Sequence, residues 1–188
     1  MIKRLTIILV VVLLFLGLHS PQQVVLQPFS GFPPEKVLEL VTRVQRVYPY
    51  VKVAQEIPMP KETYYAARHR YKAAKLIEYL RTLSGQSVIT LGLTTKDISV
   101  AKGEILDWGV MGLAYCPGAA GVVSTFRIGK DADQLYSVVI HELGHTQGLP
   151  HCTSKQCVMS DACGKHLEST EFCSTCKFFL VIRGWQFK

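Results

Sequence analysis

Three histidines and one glutamate lie within eleven residues, in the string HELGHTQGLPH from His141 to His151. Residues four apart on an α-helix lie about 40° apart round its axis, so a helix here would point His141 and His145 the same way. Two imidazoles on one helix face can hold one metal ion. Glu142 would lie about 100° round from His141, close to that metal without being its ligand.

The same string predicts how the third histidine reaches the ion. Gly148 can adopt the left-handed conformation that ends a helix, and Pro150 prevents the helix from restarting. The chain then turns and returns His151 as a third ligand. Three protein ligands leave a fourth position for water, as in a catalytic zinc site. An ordinary helix that merely carries histidines is the simpler alternative, but it does not account for five fixed positions.

The segments that must position this string alternate between strand and helix. Strands are predicted at residues 22–29, 51–54 and 87–94, and helices at 33–48 and from about 70 to 83. Residues 57–65, IPMPKETYY, are predicted as a loop because they are rich in proline. This order indicates an α/β (α+β) fold with a mixed, mostly parallel sheet.

The pattern changes after residue 97. Two apolar, glycine-bearing runs at 109–115 and 121–128 flank the segment CPGAAG and predict a hairpin or an antiparallel edge strand with a bulge. An edge strand has free backbone donors and acceptors, with which an extended peptide can pair. Plain sheet structure without a ligand role is the equal alternative. Asp131 or Asp133 would then cap the active-site helix.

Composition fits one globular domain. The 188 residues are 48% hydrophobic and 19% charged, with a formal net charge of +7. Many lysines and arginines lie between residues 61 and 81, where apolar residues recur at helical spacing, so the basic residues would occupy a solvated helix face. Because no nucleic-acid-binding module is visible, we expect no nucleic-acid partner. We also expect the protein to be a monomer.

The N-terminus carries a targeting pattern. Lys3 and Arg4 precede 14 uncharged, apolar residues at 5–18, which are fewer than the roughly 20 of a bilayer span and match a signal-peptide core. No small-x-small cleavage site follows, since Pro21 comes directly after Ser20. We expect residues 1–20 to be a signal peptide or a membrane anchor tethered through residues 5–18, and residues 21–188 to be the domain. An exported or membrane-anchored protein is predicted, with a cytoplasmic one as the alternative.

The cysteines are concentrated behind the third histidine. The sequence contains Cys116, Cys152, Cys157, Cys163, Cys173 and Cys176. The C-x-x-C pair Cys173 and Cys176 points two thiolates at one metal, and with Cys152 and Cys157 it would form a four-sulfur structural zinc site. Disulfides are the alternative, which export would favour. A redox role for C-x-x-C is weaker, because no thioredoxin-like strand and helix surround it.

Together these motifs resemble the archaemetzincin family of metzincin zinc metallopeptidases. The resemblance rests on HELGHTQGLPHCTSKQCVM and CSTC between His141 and Cys176, and more loosely on WGVMGLAYCPG and the strand–helix order before it. It implies a compact single-domain zincin-like fold and two zinc ions. It also implies that Met159 forms the apolar floor under the catalytic zinc. The implied ligands are His141, His145 and His151 for the catalytic zinc and Cys152, Cys157, Cys173 and Cys176 for the structural zinc.

Two departures from the family pattern affect the cysteines. Only 13 residues separate Met159 from Cys173, somewhat fewer than in the family, and Cys163 lies among them. Cys163 could therefore replace Cys157 as a ligand. Cys116 is left over, and we expect it to be a buried free thiol.

The function that follows is hydrolysis of peptide or protein substrates. A zinc-bound water would attack the scissile carbonyl, with Glu142 as general base and then general acid. Tyr115 could stabilise the reaction, since no tyrosine follows Tyr136. A zinc-bound peptide-binding or scaffolding protein with little turnover is the alternative, although a binder gains nothing from Glu142. Because Cys152 follows His151 directly, the cysteine site is expected to position the third zinc ligand.

Overall fold

A computed structural model of the chain describes residues 21–85 and 87–187. The predicted targeting segment at 1–20 lies outside these residues. In chain order the elements are β1 (Gln23–Pro28), α1 (Pro34–Gln45), β2 (Val51–Val53), β3 (Tyr64–Tyr65), β4 (Arg70–Lys72), α2 (Ala73–Leu83), β5 (Val88–Thr94), β6 (Ile98–Lys102), β7 (Ile105–Val110), β8 (Gly112–Ala114), β9 (Ala120–Ser124), α3 (Ala132–Thr146) and α4 (Ser174–Val181). None of these described helices combines the length and apolar character needed to cross a bilayer.

The main sheet has five strands in the order β2-β1-β5-β9-β8. The first four are parallel to one another, and β8 runs antiparallel to β9 at the edge. The predicted mixed, mostly parallel sheet with an antiparallel edge strand is therefore confirmed. The hairpin joining β8 to β9 contains the predicted CPGAAG turn.

Different helices cover the two faces of this sheet. Side chains alternate between faces along a strand, so neighbouring Val122 and Val123 of β9 belong to separate apolar clusters. Helices α1, α3 and α4 pack on the Val123 side, whereas α2 packs on the Val122 side. Leu76 and Ile77 of α2 are fully buried there, and each such side chain stabilises the fold by roughly 1.5–3 kcal/mol.

A second, smaller sheet was not predicted. Its strand order is β3-β4-β6-β7, with β4 parallel to β6 and the other pairs antiparallel. The prediction that a helix begins near Arg70 was wrong, because residues 70–72 form β4 and α2 begins at Ala73. The Arg70 guanidinium contacts Asp97 and Asp107, which holds this segment against β6 and β7. The proline-rich segment 57–65 likewise contains a short 3₁₀ helix, Lys61–Thr63, and β3.

Candidate metal centre and its cleft

Helix α3 carries two of the three histidines. Asp131 caps its N-terminus, where the side-chain Oδ1 accepts a hydrogen bond of 2.9 Å from the Gln134 amide. Its last two turns are buried, which places His141, Glu142 and His145 at the floor of a cleft. Helix α3 ends at Thr146. Gly148, two residues on, has a φ of 98°, in the left-handed region that the sequence predicted.

The three imidazoles converge. One nitrogen from each of His141, His145 and His151 lies within 4.8 Å of the others, and the Nε2 atoms of His141 and His145 are 3.0 Å apart. Nitrogens bound to one tetrahedral zinc ion at its usual bond length would be roughly 3.3 Å apart. The exposed His151 reaches this position from the loop after Gly148, as predicted.

Backbone carbonyls set the tautomers of two imidazoles. The Nδ1 atoms of His141 and His145 each lie 2.7 Å from a carbonyl oxygen, of Val158 and Leu149 respectively. A carbonyl oxygen only accepts, so each Nδ1 carries the proton and each Nε2 directs its lone pair into the cleft. Burial lowers the pKa of His141 to about 4 and also lowers the pKa of His145. Both rings are therefore neutral at neutral pH, and this donor set fits zinc.

Glu142 lies beside the histidines without joining them. Burial raises the pKa of its carboxyl group to about 8. Edge strand β8 passes directly over this group: a Cβ atom placed on Gly112 would lie 2.5 Å from the Glu142 Oε1 atom. The sequence signal had placed the carboxylate near the metal, but it did not show that a glycine of a different element makes room for it.

Four cysteines form a second cluster. The Sγ atoms of Cys152, Cys157, Cys173 and Cys176 all lie within 4.8 Å of one another. The Sγ atoms of Cys152 and Cys173 are 3.8 Å apart, and thiolates bound to one tetrahedral zinc at the usual bond length would be roughly 3.8 Å apart. All six cysteines are free, and Cys163 is exposed and outside the cluster. The geometry thus selects Cys157 over Cys163.

The thiols of this cluster differ in acidity. Burial raises the pKa values of Cys157 and Cys176. Burial also acts on Cys173, but hydrogen bonds from the Cys176 backbone amide and from neighbouring thiols outweigh it and lower the pKa of Cys173 to about 7. The cluster therefore offers one thiolate readily at neutral pH, and a soft cation is the natural counter-charge for the rest.

Met159 joins the two clusters. Its side chain is fully buried and lies under α3, where a Cβ atom on Gly144 would be 2.6 Å from the Met159 Sδ atom. Its carbonyl oxygen accepts a hydrogen bond of 2.8 Å from the Cys152 amide. Met159 is thus packed beneath α3 at Gly144, the residue before His145, and its backbone is tied to the cysteine cluster.

The cleft has a volume of about 1190 Å³ and is bounded by both sheets. Strands β7 and β8 form one wall, and the loop at 161–167 faces them. Charged residues on or beside the second sheet also line this cleft. Their position in the cleft could not be predicted from the sequence, because that sheet was not predicted. These wall residues are Arg68, Arg70, Lys102, Asp107 and Arg127.

Two expectations about single residues need correction. Cys116 is free as expected, but it is exposed and lines the cleft instead of lying buried, because it lies in the turn between β8 and β9, where its thiol donates to the Leu149 carbonyl at 3.2 Å. Tyr115 does not line the cleft. Its side chain contacts Glu78 of α2, on the other face of β8, so it is not placed to stabilise a reaction at the histidines.

The sequence matches the model of peptidase family M54 over residues 36–180. It is 37% identical to the archaemetzincin of Methanopyrus kandleri over 126 residues, which cover 63% of this chain and 70% of that protein. The archaemetzincin of Aeropyrum pernix is 29% identical over 168 residues, which cover 81% of this chain and 90% of that protein.

Solved structures show the same architecture. The crystal structure of archaemetzincin from Methanopyrus kandleri has a TM-score of 0.72 at 30% identity and covers 89% of this chain and 97% of that one. Archaemetzincin from Archaeoglobus fulgidus, crystallised as a complex with malonate, has a TM-score of 0.68 at 27% identity and covers 84% of this chain and 99% of that one. The α/β single-domain fold expected from the sequence is therefore confirmed.

Proposed function

The chain belongs to peptidase family M54, the archaemetzincins, and is thus a zinc metallopeptidase, and we propose that it hydrolyses peptide bonds at the three-histidine centre with Glu142 as general base and acid. The observation that carries the proposal is the convergence of His141, His145 and His151 beside a buried carboxylate. Zinc held by these imidazoles would lower the pKa of a water ligand to about 7 and polarise the scissile carbonyl.

The burial of Glu142 supports its proposed role as general base. A general base works best when its pKa is near the working pH, and burial raises the pKa of Glu142 from its usual range to about 8. The carboxylate would take a proton from the attacking water and return it to the leaving amine. Its position under Gly112 holds it against the cleft floor, where a substrate carbonyl would lie.

Edge strand β8 is proposed to bind the substrate backbone. It is the last strand of the main sheet, and Gly112, Leu113 and Ala114 all line the cleft. An extended peptide could add to its free edge through main-chain hydrogen bonds, directly above Glu142. This geometry favours the ligand role for the edge strand that the sequence left open.

The cysteine cluster is proposed to hold a second, structural zinc. Four thiols within 4.8 Å of one another can fill all four positions of a tetrahedral zinc ion, as in a closed structural site. The chain would then bind two zinc ions, with Cys152, Cys157, Cys173 and Cys176 as the ligands of the second. The segment between residues 152 and 176 contains little regular structure before α4, so a metal cross-link would stabilise it.

The test compares hydrolysis of a peptide library by the wild type and by Glu142→Gln, with zinc content measured for both. We expect the variant to keep its zinc and to lose at least about a hundredfold in kcat. A wild type that binds peptides without turning them over would contradict the proposal and favour the binding or scaffolding protein. Equal turnover by both proteins would refute the role of Glu142.

We also propose that residues 1–20 are a signal peptide or membrane anchor, that residues 21–188 form the peptidase domain, and that the protein acts outside the cytoplasm. The support is the uncharged, apolar run at 5–18, which Lys3 and Arg4 precede. Recovery of the intact chain in a soluble cytoplasmic fraction would contradict this localisation.

A further inference from the structure

The cleft wall opposite the loop at 161–167 carries a chain of ion pairs. Asp97 lies at its centre, with a side chain only 9% exposed. Its carboxylate accepts a hydrogen bond of 2.7 Å from the Arg70 Nε atom, and bonds of 2.9 and 3.0 Å from the Nε and Nη2 atoms of Arg127. Asp107 extends the chain, with its Oδ2 atom 3.0 Å from the Arg68 Nε atom.

This network leaves positive charge uncompensated. Three guanidinium groups share two carboxylates, so one positive charge remains. Each guanidinium has five N–H donors. On Arg127, Asp97 accepts hydrogen bonds from only two nitrogen atoms, so other donors are free to bind a ligand. Lys102 adds a further cation to the same wall, over the ring of Trp108. Across the cleft, Asp161 directs its Oδ1 atom to the Cys163 amide at 2.8 Å.

The arginines are also held in place before any ligand arrives. Two hydrogen bonds to the buried Asp97 hold the Arg127 guanidinium. It lies close against Gly109, where a Cβ atom would clash with it. Arg70 is held at both ends, by Asp97 and by the Asp107 carbonyl oxygen at 2.7 Å. A planar guanidinium fixed in this way recognises a carboxylate at little cost in side-chain entropy.

The arginines lie near the proposed reaction centre. Gly109, against Arg127, and Gly112, against Glu142, are three residues apart in one stretch of chain. Their Cα atoms are therefore at most about 11 Å apart. An extended peptide advances roughly 3.3 Å per residue, so an anion held by Arg127 would belong to a residue a few positions from the scissile bond.

We propose that Arg70 and Arg127 form a carboxylate subsite, through which the cleft selects peptides with an acidic side chain within about four residues of the cleaved bond. This proposal rests on the proposed peptidase function. The ligand class follows from the excess positive charge of the wall, to which Arg68 and Lys102 contribute, and from the unused N–H donors and fixed geometry of Arg70 and Arg127. Arg127 here determines specificity and takes no part in the proton transfers.

The test uses matched peptides with Glu, Gln or Lys at each of four positions on either side of one cleavable bond. We expect the wild type to prefer Glu to Gln by about tenfold in kcat/KM at one of these positions, and to disfavour Lys there. The preference should disappear in Arg127→Gln. Because that change leaves the buried Asp97 with one partner fewer, the double variant Asp97→Asn/Arg127→Gln repeats the test with the ion pair removed. Arg81→Gln, the same change of charge on α2, should keep the wild-type ratio.

Equal kcat/KM for Glu and Gln peptides at every position would overturn the proposal, as would a ratio that survives in both Arg127 variants. Affinity of the zinc-loaded Glu142→Gln protein for the same peptides separates this result from the peptidase assignment. Suppose that the wild type cleaves no peptide, but that the Glu peptide binds about tenfold tighter than the Gln peptide and loses this advantage when Arg127 is replaced. The subsite then stands while the catalytic function fails. Equal affinities would refute the subsite independently of turnover.

Discussion

The Nδ1 atom of His141 lies 2.7 Å from the carbonyl oxygen of Val158, and Val158 is the residue directly after Cys157. The carbonyl group that orients the first histidine therefore belongs to the residue that follows a member of the cysteine cluster. The third histidine is connected through the backbone, because Cys152 follows His151 directly. We therefore predict that two of the three imidazoles depend on the cysteine cluster for their position, which extends the expectation formed for His151 alone.

Replacing Cys157 should weaken zinc binding at the histidines. Cys157→Ser removes one thiol from the cluster and frees the backbone that presents Val158 to His141. Loss of a group that orients a metal ligand typically costs about 10–100-fold in metal affinity, and we expect a loss in that range. Competition with a chelator, followed for each of the two metals, measures it.

The matched control is Cys163→Ser, which makes the same change at an exposed cysteine outside the cluster. It should keep the wild-type affinity at both sites. If Cys157→Ser lost only the cluster metal and left the affinity of the histidine centre unchanged, the proposed coupling through Val158 would be wrong.

A methyl group on Gly112 should impair catalysis without removing zinc. In Gly112→Ala the new Cβ atom would lie 2.5 Å from the Glu142 Oε1 atom, too close for either to stay in place. Displacement of a general base by about 1 Å costs roughly a hundredfold in rate. We expect a fall in kcat of this order at unchanged zinc content, measured by steady-state hydrolysis together with metal analysis.

Gly85→Ala provides the comparison, since its Cβ atom would meet nothing closer than a Val88 methyl group at 3.9 Å. Wild-type turnover is expected from it. Full activity in Gly112→Ala would show that Glu142 does not need its present position.

Tyr48 should make the fold sensitive to alkaline pH. Burial, aided by the neighbouring Tyr50, raises the pKa of the Tyr48 hydroxyl from 10.0 to about 12. Between these values the folded chain keeps a proton that the unfolded chain has lost, so the free energy of unfolding falls as the pH rises from 10 to 12. Urea denaturation of wild type and Tyr48→Phe across this range measures the effect.

The variant isolates the contribution of this one hydroxyl. It also loses the 2.6 Å hydrogen bond from Tyr48 to the Gln22 carbonyl oxygen, which should cost about 1 kcal/mol at neutral pH. The difference in the free energy of unfolding between wild type and variant should shrink and then reverse as the pH rises, because two pH units correspond to about 2.7 kcal/mol. Roughly two pH units separate the pKa of Tyr48 in the folded chain from its pKa in the unfolded chain. A difference in stability that stayed constant from pH 9 to 12 would therefore contradict the raised pKa.

Features formed by residues close together in the sequence could be predicted from the sequence, and features formed by distant residues could not. The string from His141 to His151 contains its own helix, helix end and turn, so the convergence of its imidazoles was predictable. The main sheet was predictable too, because its central strand β5 is a continuous apolar run. Strands β3 and β4, of two and three residues, are too short to show any periodicity.

Contacts between distant residues were beyond the sequence alone. Arg127 and Asp97 are 30 residues apart, and they meet because β5 pairs with β9 as far as Thr94 and Ser124, three residues before each. The placing of Cys157 instead of Cys163 in the cluster depends on the path of an irregular loop, which no periodicity records. The match between Gly112 and Glu142 likewise requires β8 to pass over α3.

Anomalous diffraction at the zinc absorption edge, from crystals of the protein purified without chelator, tests the central claim most directly. We expect two peaks per chain. One should lie about 2.1 Å from a nitrogen of each of His141, His145 and His151, and the other about 2.3 Å from the four sulfurs of Cys152, Cys157, Cys173 and Cys176. A first peak that His151 does not contact, or one whose coordination is closed by a fourth protein ligand, would contradict it.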